Sequence, residues 1–189
     1  MARFVRRLVR VLVAGIALLT LVACALHVSH SEGDVALAPA DGSALRIATY
    51  NVHYIVLSEE TGAWSVGDWE RRKEPLDKAF KALQADIVAF QEMESWSRGS
   101  DGSVNLTRDF LIAQNPDYGV AATGDWREFP TTQPIFYLKE RLQQLDQGWF
   151  FFSDTPDVIY SRTFNGSFPA FASWVQFLAT FLGRLDVER

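Results

Sequence analysis

The 189-residue chain holds a single cysteine, Cys24, so no disulfide can form within it. Histidine is nearly as scarce. His27 and His30 fall in a polar, small-residue stretch where histidines are ordinarily solvated, and His53 is the one histidine in the body of the chain. Positive charge is short as well, with 18 Lys and Arg against 23 Asp and Glu and a formal charge of −5. Four of the positive charges (Arg3, Arg6, Arg7, Arg10) lie in the first ten residues, where there is no acid. Without residues 1–23 the formal charge therefore falls from −5 to −9. Sequence-independent nucleic-acid affinity depends on cations that neutralise phosphates, so avid nucleic-acid binding is disfavoured though not excluded. A phosphorylated substrate stays compatible with this charge if a bound cation supplies the positive end. There is no internal repeat and no low-complexity tract. Frequent apolar runs and 13% aromatic residues exclude disorder as the state of the body.

Behind the basic start, Val11 to Ala23 carries no charge and is almost wholly apolar, a run too short to span a bilayer comfortably. It ends in Leu21-Val22-Ala23-Cys24, small residues before the sole cysteine. This pattern resembles a bacterial lipoprotein signal peptide. The resemblance implies removal of residues 1–23, lipidation of Cys24 and attachment to the membrane through it. Ala25 in the following position implies the outer membrane, facing the periplasm. Residues 24–44 then read as the lipidated cysteine and a tether, and 45–189 as the domain.

The body reads as mixed α/β. Leu45 to Val52 is a β-branched and aromatic run behind Asp41-Gly42-Ser43, and predicts a strand. Ser58 to Asp68, with two glycines, predicts a loop. Pro75 suits the first turn of a helix whose apolar positions are Leu76, Ala79, Phe80 and Leu83, ending near Gln84. Asp86 to Glu92 is a short apolar run of the kind that forms an interior strand. Strand, helix, strand in that order predicts a crossover unit. Ser95 to Ser103 predicts a second loop, Leu106 to Asn115 a short helix, and Ile135–Leu138, Trp149–Phe152 and Trp174–Leu178 further strands.

Two strand ends carry residues with a chemical use. Asn51 closes the first strand and Glu92 the second, and an amide oxygen with a carboxylate makes a hard-oxygen pair suited to Mg²⁺ or Mn²⁺. Asn and Glu at strand ends are also common turn residues, so the pair is not specific by itself. His53, two residues past Asn51, would point the same way on a continuing strand. Histidines in such places are more often structural than ligands.

The segments Ile47-Ala48-Thr49-Tyr50-Asn51-Val52 and Asp86-Ile87-Val88-Ala89-Phe90-Gln91-Glu92 resemble the first two motifs of the endonuclease/exonuclease/phosphatase superfamily. Trp69 and Arg72 stand where that family often has a tryptophan and an arginine. Gln133-Pro134-Ile135-Phe136-Tyr137, Gly148 to Asp157, Ser161-Arg162-Thr163 and Ser173-Trp174 continue the resemblance in order. It implies a DNase I-like four-layer α/β sandwich, hydrolysis of a phosphodiester or phosphomonoester, and Mg²⁺ or Mn²⁺ held in part by Asn51 and Glu92.

The family's later motifs, an asparagine–x–histidine strand, an aspartate–x–asparagine and a terminal serine–aspartate–histidine, do not occur before Arg189. Downstream of Phe177 the carboxylates are Asp186 and Glu188, in no matching context. The domain thus reads as the first two-thirds of the family's fold, incomplete at its C-terminus, with its catalytic residues unassigned. Two expectations stand side by side: a lipid-anchored, metal-dependent phosphoesterase, or a truncated and catalytically inactive lipoprotein acting as a binding or structural module.

Overall fold

A five-residue strand, β1 (Ile47–Asn51), runs parallel to its neighbour β3 (Ile87–Gln91), with Ile47 opposite Ile87 and Asn51 opposite Gln91. The structure, a computed structural model, describes residues 2–31, 37–39, 42–98, 103–163 and 168–180. The contacts divide the chain into two units, Met1–Ala38 and Pro39–Arg189.

In the first unit, helix α1 spans Ala2–Ser31, and its described side chains are exposed. Its Arg3–Ser29 stretch is long and apolar enough to cross a membrane, a test that a signal sequence near an N-terminus also passes. The short apolar run expected from the sequence therefore lies inside a helix about twice as long. The expected tether from His27 begins as helix, because Leu26 and Val28 extend the apolar content and no glycine or proline intervenes before Gly33. The side chain of His30 lies outside the described residues.

In the second unit, β3 lies between β1 and β6 (Ile135–Leu138). The latter is antiparallel to both β3 and β5 (Tyr118–Ala121), giving the order β1-β3-β6-β5. Helix α2 (Val66–Leu83) makes the crossover between the parallel strands β1 and β3, as predicted. It begins well before the expected start, so most of Ser58 to Asp68 precedes it but its last three residues are helical. The reason is Ser65, whose buried side chain caps the helix by accepting the Asp68 N–H at 3.1 Å and donating to Gly62 O at 2.7 Å. Pro75 consequently sits in the helix interior rather than the first turn, where its missing N–H removes one intrahelical bond. Burial of Trp69, Leu76 and Phe80 on one face offsets that loss. The helix stops at Gln84, which turns left-handed at φ 45°.

Phe80, Phe90 and Phe136 form the centre of the core, with Phe90 and Phe136 edge to face at 5.0 Å and Phe80 on Tyr118 at 4.9 Å. Helix α3 (Leu106–Gln114) matches its expected span and adds Leu111. Its cap is Asn105, whose amide oxygen accepts the Arg108 N–H at 3.0 Å while its Nδ2 donates to Met93 O at 2.8 Å. Strand β5 has no counterpart in the expectations. Gly119 in it carries no side chain to mark a strand, because the ring of Tyr137 lies where its Cβ would be. At the N-terminal end of the sheet, buried Asp86 pairs with Arg141 at 2.9 Å and accepts the Arg46 N–H at 2.7 Å.

A separate antiparallel pair joins β7 (Leu142–Phe151) and β8 (Phe171–Ala179), with an irregularity between Gln144 and Asp146. The expected strand 174–178 is part of β8, and the expected 149–152 is the end of β7 except for Phe152, which lies just past it. The polar stretch before Gly148 is also strand, its half-buried Gln144 and Gln147 bonded to each other at 3.1 Å and Gln147 Oε1 accepting the Ala122 N–H at 2.8 Å, while Leu145 faces outward. Ser173 Oγ donates to Gln133 O at 3.0 Å, and Tyr137 meets Phe177 at 4.9 Å, tying the pair to β6. Residues 181–189, with Asp186 and Glu188, lie outside the described residues, as do 99–102 of the loop expected at Ser95 to Ser103.

Candidate functional site

Because β1 and β3 are parallel neighbours in register, Asn51 and Gln91 are Cα partners at one end of the sheet, and Glu92 follows immediately. Glu92 lies one residue past its strand rather than in it. Its backbone is left-handed at φ 54°, and the Glu94 N–H donates to Glu92 O at 2.9 Å, so the chain reverses sharply there. Met93, fully buried, anchors the reversal, and its N–H donates to Thr132 O at 3.0 Å. The tight turn leaves the Glu92 side chain exposed.

Asn51 is exposed too, and its Oδ1 accepts the His53 N–H at 3.0 Å. This Asx-type turn stops the strand, so His53 does not lie on a continuation of β1. Its φ is 63°, and its orientation is set by the turn rather than by strand alternation. A carbonyl-type oxygen has two lone pairs, so Asn51 Oδ1 keeps acceptor capacity for a cation.

The loops beyond the two strands are stitched to each other. Val52 N–H donates to Gln91 O at 3.0 Å, and Ile55 N–H to Glu94 O at 2.9 Å. A second parallel pair then forms between β2 (Ile55–Val56) and β4 (Ser95–Trp96). Buried Val52, Ile55 and Met93 hold this zipper against the core. The turns that carry Asn51 and Glu92 are thus held to one another on both sides, as a preformed site needs.

Arg72 of α2 reaches under the first loop. Its Nη1 donates to Val52 O and its Nη2 to His53 O at 2.8 Å, while its Nε lies 3.2 Å from Asp68 Oδ2 and its guanidinium 5.4 Å from the Trp69 ring centre. Burial lowers its pKa from the ordinary guanidinium value, and the Asp68 carboxylate opposes that shift. Burial likewise raises the Tyr50 phenol, against the pull of the Arg72 charge. Trp69 and Arg72 stand out in the sequence only by family pattern, and their position gives them roles: Arg72 clamps the Asn51 loop, and buried Trp69 lies against its guanidinium. Nearby, Glu94 is pushed above the ordinary carboxylate range by burial.

The structure brings Asn51 and Glu92 to one rim, and among the described residues of their unit the one histidine is His53, two residues from Asn51. Among the described residues no group of three or more His, Cys, Asp or Glu converges on a point that could hold a metal. The segment Gly148 to Asp157 runs from the end of β7 into a turn of its own. There the Ser153 and Ser161 hydroxyls are 2.6 Å apart, and the Asp154 N–H donates to Thr163 Oγ1 at 2.9 Å. Cys24 is exposed on α1 in the other unit. The donor chemistry of Asn51 and Glu92 fits a hard cation, since Mg²⁺ commonly takes one or two protein oxygens and fills the rest of its shell with water or phosphate.

No protein-family model matches the chain, and no curated protein matches it. Solved structures do. An endonuclease/exonuclease/phosphatase from Bacteroides vulgatus aligns at a TM-score of 0.54 and 24% identity, over 71% of this chain and 47% of its own. A mannosyl-6-phosphatase from Bacteroides thetaiotaomicron aligns at 0.54 and 23%, over 72% and 46%. A conserved protein of unknown function from Enterococcus faecalis aligns at 0.52 and 24%, over 72% and 48%. The mixed α/β fold of this chain is therefore the endonuclease/exonuclease/phosphatase (DNase I-like) fold, and the chain spans about half the length of these structures.

Proposed function

We propose, from the endonuclease/exonuclease/phosphatase fold that this chain carries, that the protein is a metal-dependent phosphoesterase whose Asn51–Glu92 rim holds Mg²⁺ or Mn²⁺. The observation that carries the reading is the pairing of β1 with β3, which sets an amide oxygen and a carboxylate on adjacent turns at one sheet end. A cation there would supply charge stabilisation to a phosphoryl oxygen. For their part, Glu92 and Asn51 would provide the oxygen ligands, Arg72 would fix the Asn51 loop, and the β2–β4 zipper would keep the two turns at constant separation.

The substrate class we assign is a phosphorylated small molecule, with a sugar phosphate ahead of nucleic acid. The net charge of −5 supports that order, as does the likeness in fold to a protein named as a mannosyl-6-phosphatase. We further propose that the chain is anchored through lipidated Cys24 in the bacterial envelope, supported by four arginines and an apolar stretch before that cysteine. The mass of the N-terminal peptide from envelope material checks it: an acylated Cys24 is expected, and an intact Met1 start would oppose it.

One observation favours the second reading, a binding module without catalysis: no three metal-ligating acid, histidine or cysteine side chains converge among the described residues. The two readings separate in one experiment. Mn²⁺ binding by calorimetry and hydrolysis of bis(p-nitrophenyl) phosphate and p-nitrophenyl phosphate are compared for the chain and its Glu92→Gln variant. Glu92-dependent binding with Glu92-dependent hydrolysis supports the enzyme. Glu92-dependent binding with equal, background hydrolysis supports the module. Binding that ignores Glu92 removes the metal site from both.

A further inference from the structure

Three aromatic rings crowd the loop beside Asn51. His53 lies 5.4 Å from Trp64 and 5.9 Å from Tyr54, Tyr54 lies 6.0 Å from Trp64, and all three planes agree within 11°. Parallel rings in a single column would put the outer pair about twice as far apart as the neighbours. These three distances are almost equal, so the rings form a triangular cluster of parallel, laterally displaced neighbours rather than one column. All three are exposed, Tyr54 at 36% and Trp64 at 42%. A hydrophobic core would have buried them, so they contribute little to the fold by burial.

Holding them there has a cost. His53 (φ 63°) and Trp64 (φ 64°) are both left-handed, a region uncommon for any residue but glycine and strained for a side chain as bulky as Trp64. The loop is pinned in this state from several directions. Asn51 Oδ1 accepts the His53 N–H, Arg72 donates to His53 O, and Trp64 O accepts the Val56 N–H at 2.7 Å. Strain that the surroundings over-determine, at an exposed position next to a candidate site, points to a ligand rather than to packing.

We propose that His53, Tyr54 and Trp64 form a stacking platform for the pyranose ring of a phosphorylated sugar whose phosphate occupies the Asn51–Glu92 rim. The phosphate half of this assignment rests on the function proposed above, while the platform stands on its own geometry. His53 is only two residues from Asn51, a backbone span of about 7 Å at most, so a ring on the platform and a phosphate at the rim can belong to one small molecule. The apolar C–H face of a pyranose matches parallel aromatic faces. The imidazole nitrogens, the phenol and the indole N–H offer polar edges to its hydroxyls. A nucleobase could also stack, but an acidic chain whose Arg72 is already committed to two loop carbonyls and Asp68 offers little to a nucleotide backbone.

The test uses the full chain with Mn²⁺ and three probes: glucose 6-phosphate, inorganic phosphate and methyl glucopyranoside. Calorimetry is expected to show glucose 6-phosphate binding at least about tenfold more tightly than inorganic phosphate. Trp64→Ala is expected to erase that advantage while leaving inorganic phosphate unchanged, and Trp64→Phe to restore most of it. Saturation-transfer NMR with methyl glucopyranoside scores the platform without any phosphate. Contacts to its C–H protons are expected in the wild type and in Glu92→Gln, and are lost in Trp64→Ala. If methyl glucopyranoside makes those contacts but no phosphate binds, the rim reading fails and the platform stands. If phosphate binds through Glu92 while the sugar probes ignore Trp64, the platform is overturned, and if adenosine 5′-monophosphate outcompetes glucose 6-phosphate, the sugar is overturned as its occupant.

Discussion

Asn51 Oδ1 accepts the backbone N–H of His53 at 3.0 Å, so the oxygen offered to a cation also closes the turn that ends its own strand. The two duties separate by mutation. Asn51→Asp keeps an acceptor for the His53 N–H and adds negative charge at the rim, so Mn²⁺ affinity is expected to hold or rise. Asn51→Ala removes ligand and turn acceptor together, and a loss of at least about tenfold in Mn²⁺ affinity is expected, in the range that even supporting groups of metal sites reach. Calorimetric titration of both variants decides the matter. An alanine variant that binds Mn²⁺ like the wild type would take Asn51 out of the site.

Glu92 occupies a backbone conformation that suits glycine, with φ at 54°. A chain optimised for stability alone would place Gly there. Glu92→Gly is therefore expected to be more stable than Glu92→Ala by about 1 kcal/mol, since alanine keeps the strain and removes only the carboxylate. Both are expected to lose Mn²⁺ binding. Urea denaturation measures the first quantity and calorimetry the second. Alanine and glycine variants of equal stability would show that the left-handed turn carries no strain.

Asp86 and Glu92 bracket the same strand, yet they do opposite work. Asp86, 4% exposed, sits at the N-terminal end, where its carboxylate meets Arg141 at 2.9 Å and the Arg46 N–H at 2.7 Å. Removing Asp86 takes the counterion from the Arg141 charge, though Arg141 Nη2 still donates to Gly42 O and Ala44 O. Asp86→Ala is expected to cost about 3–5 kcal/mol, whereas replacing both Asp86 and Arg141 by apolar residues costs much less. The midpoint of urea unfolding for the single and double variants tests this. A small effect of Asp86→Ala would show that the Gly42 and Ala44 carbonyls together with water suffice for the Arg141 charge.

Much of this arrangement was legible in the residues themselves, and what was not has physical causes. The strands at 47–51 and 87–91 and the crossover helix between them follow from β-branched and apolar runs and their spacing, although only the second strand is interior and the first lies at the sheet edge. The helix start was misplaced because Pro75 is a stronger local signal than Ser65, while the tertiary anchor Trp69 decides the outcome. Strand β5 was invisible because Gly119 surrenders its side chain to the Tyr137 ring across the sheet. At the site, Asn51 and Glu92 were readable as strand-end oxygens. The clamp by Arg72 and the zipper between β2 and β4 depend on backbone carbonyls, which carry no residue-specific signature.

Tyr118 sets the last expectation. Its hydroxyl donates to Ala85 O at 2.6 Å, and its ring packs on Phe80. Burial first, and then the charges of Asp86 and Asp117, raise its pKa above the ordinary tyrosine value. A phenol with a raised folded-state pKa contributes stability that is fully present below the unfolded value of about 10 and is lost as pH rises through the folded value. Tyr118→Phe deletes the hydrogen bond and the titration together. At neutral pH it is expected to destabilise the domain by about 1 kcal/mol, for the unpaired Ala85 carbonyl. Above pH ~10 the wild type must keep a half-buried phenol protonated or bear its charge, so the gap is expected to close and then reverse. Thermal unfolding of both proteins between neutral and strongly alkaline pH measures the crossing. Parallel curves across that range would show that Tyr118 titrates in the folded chain as it does in the unfolded one.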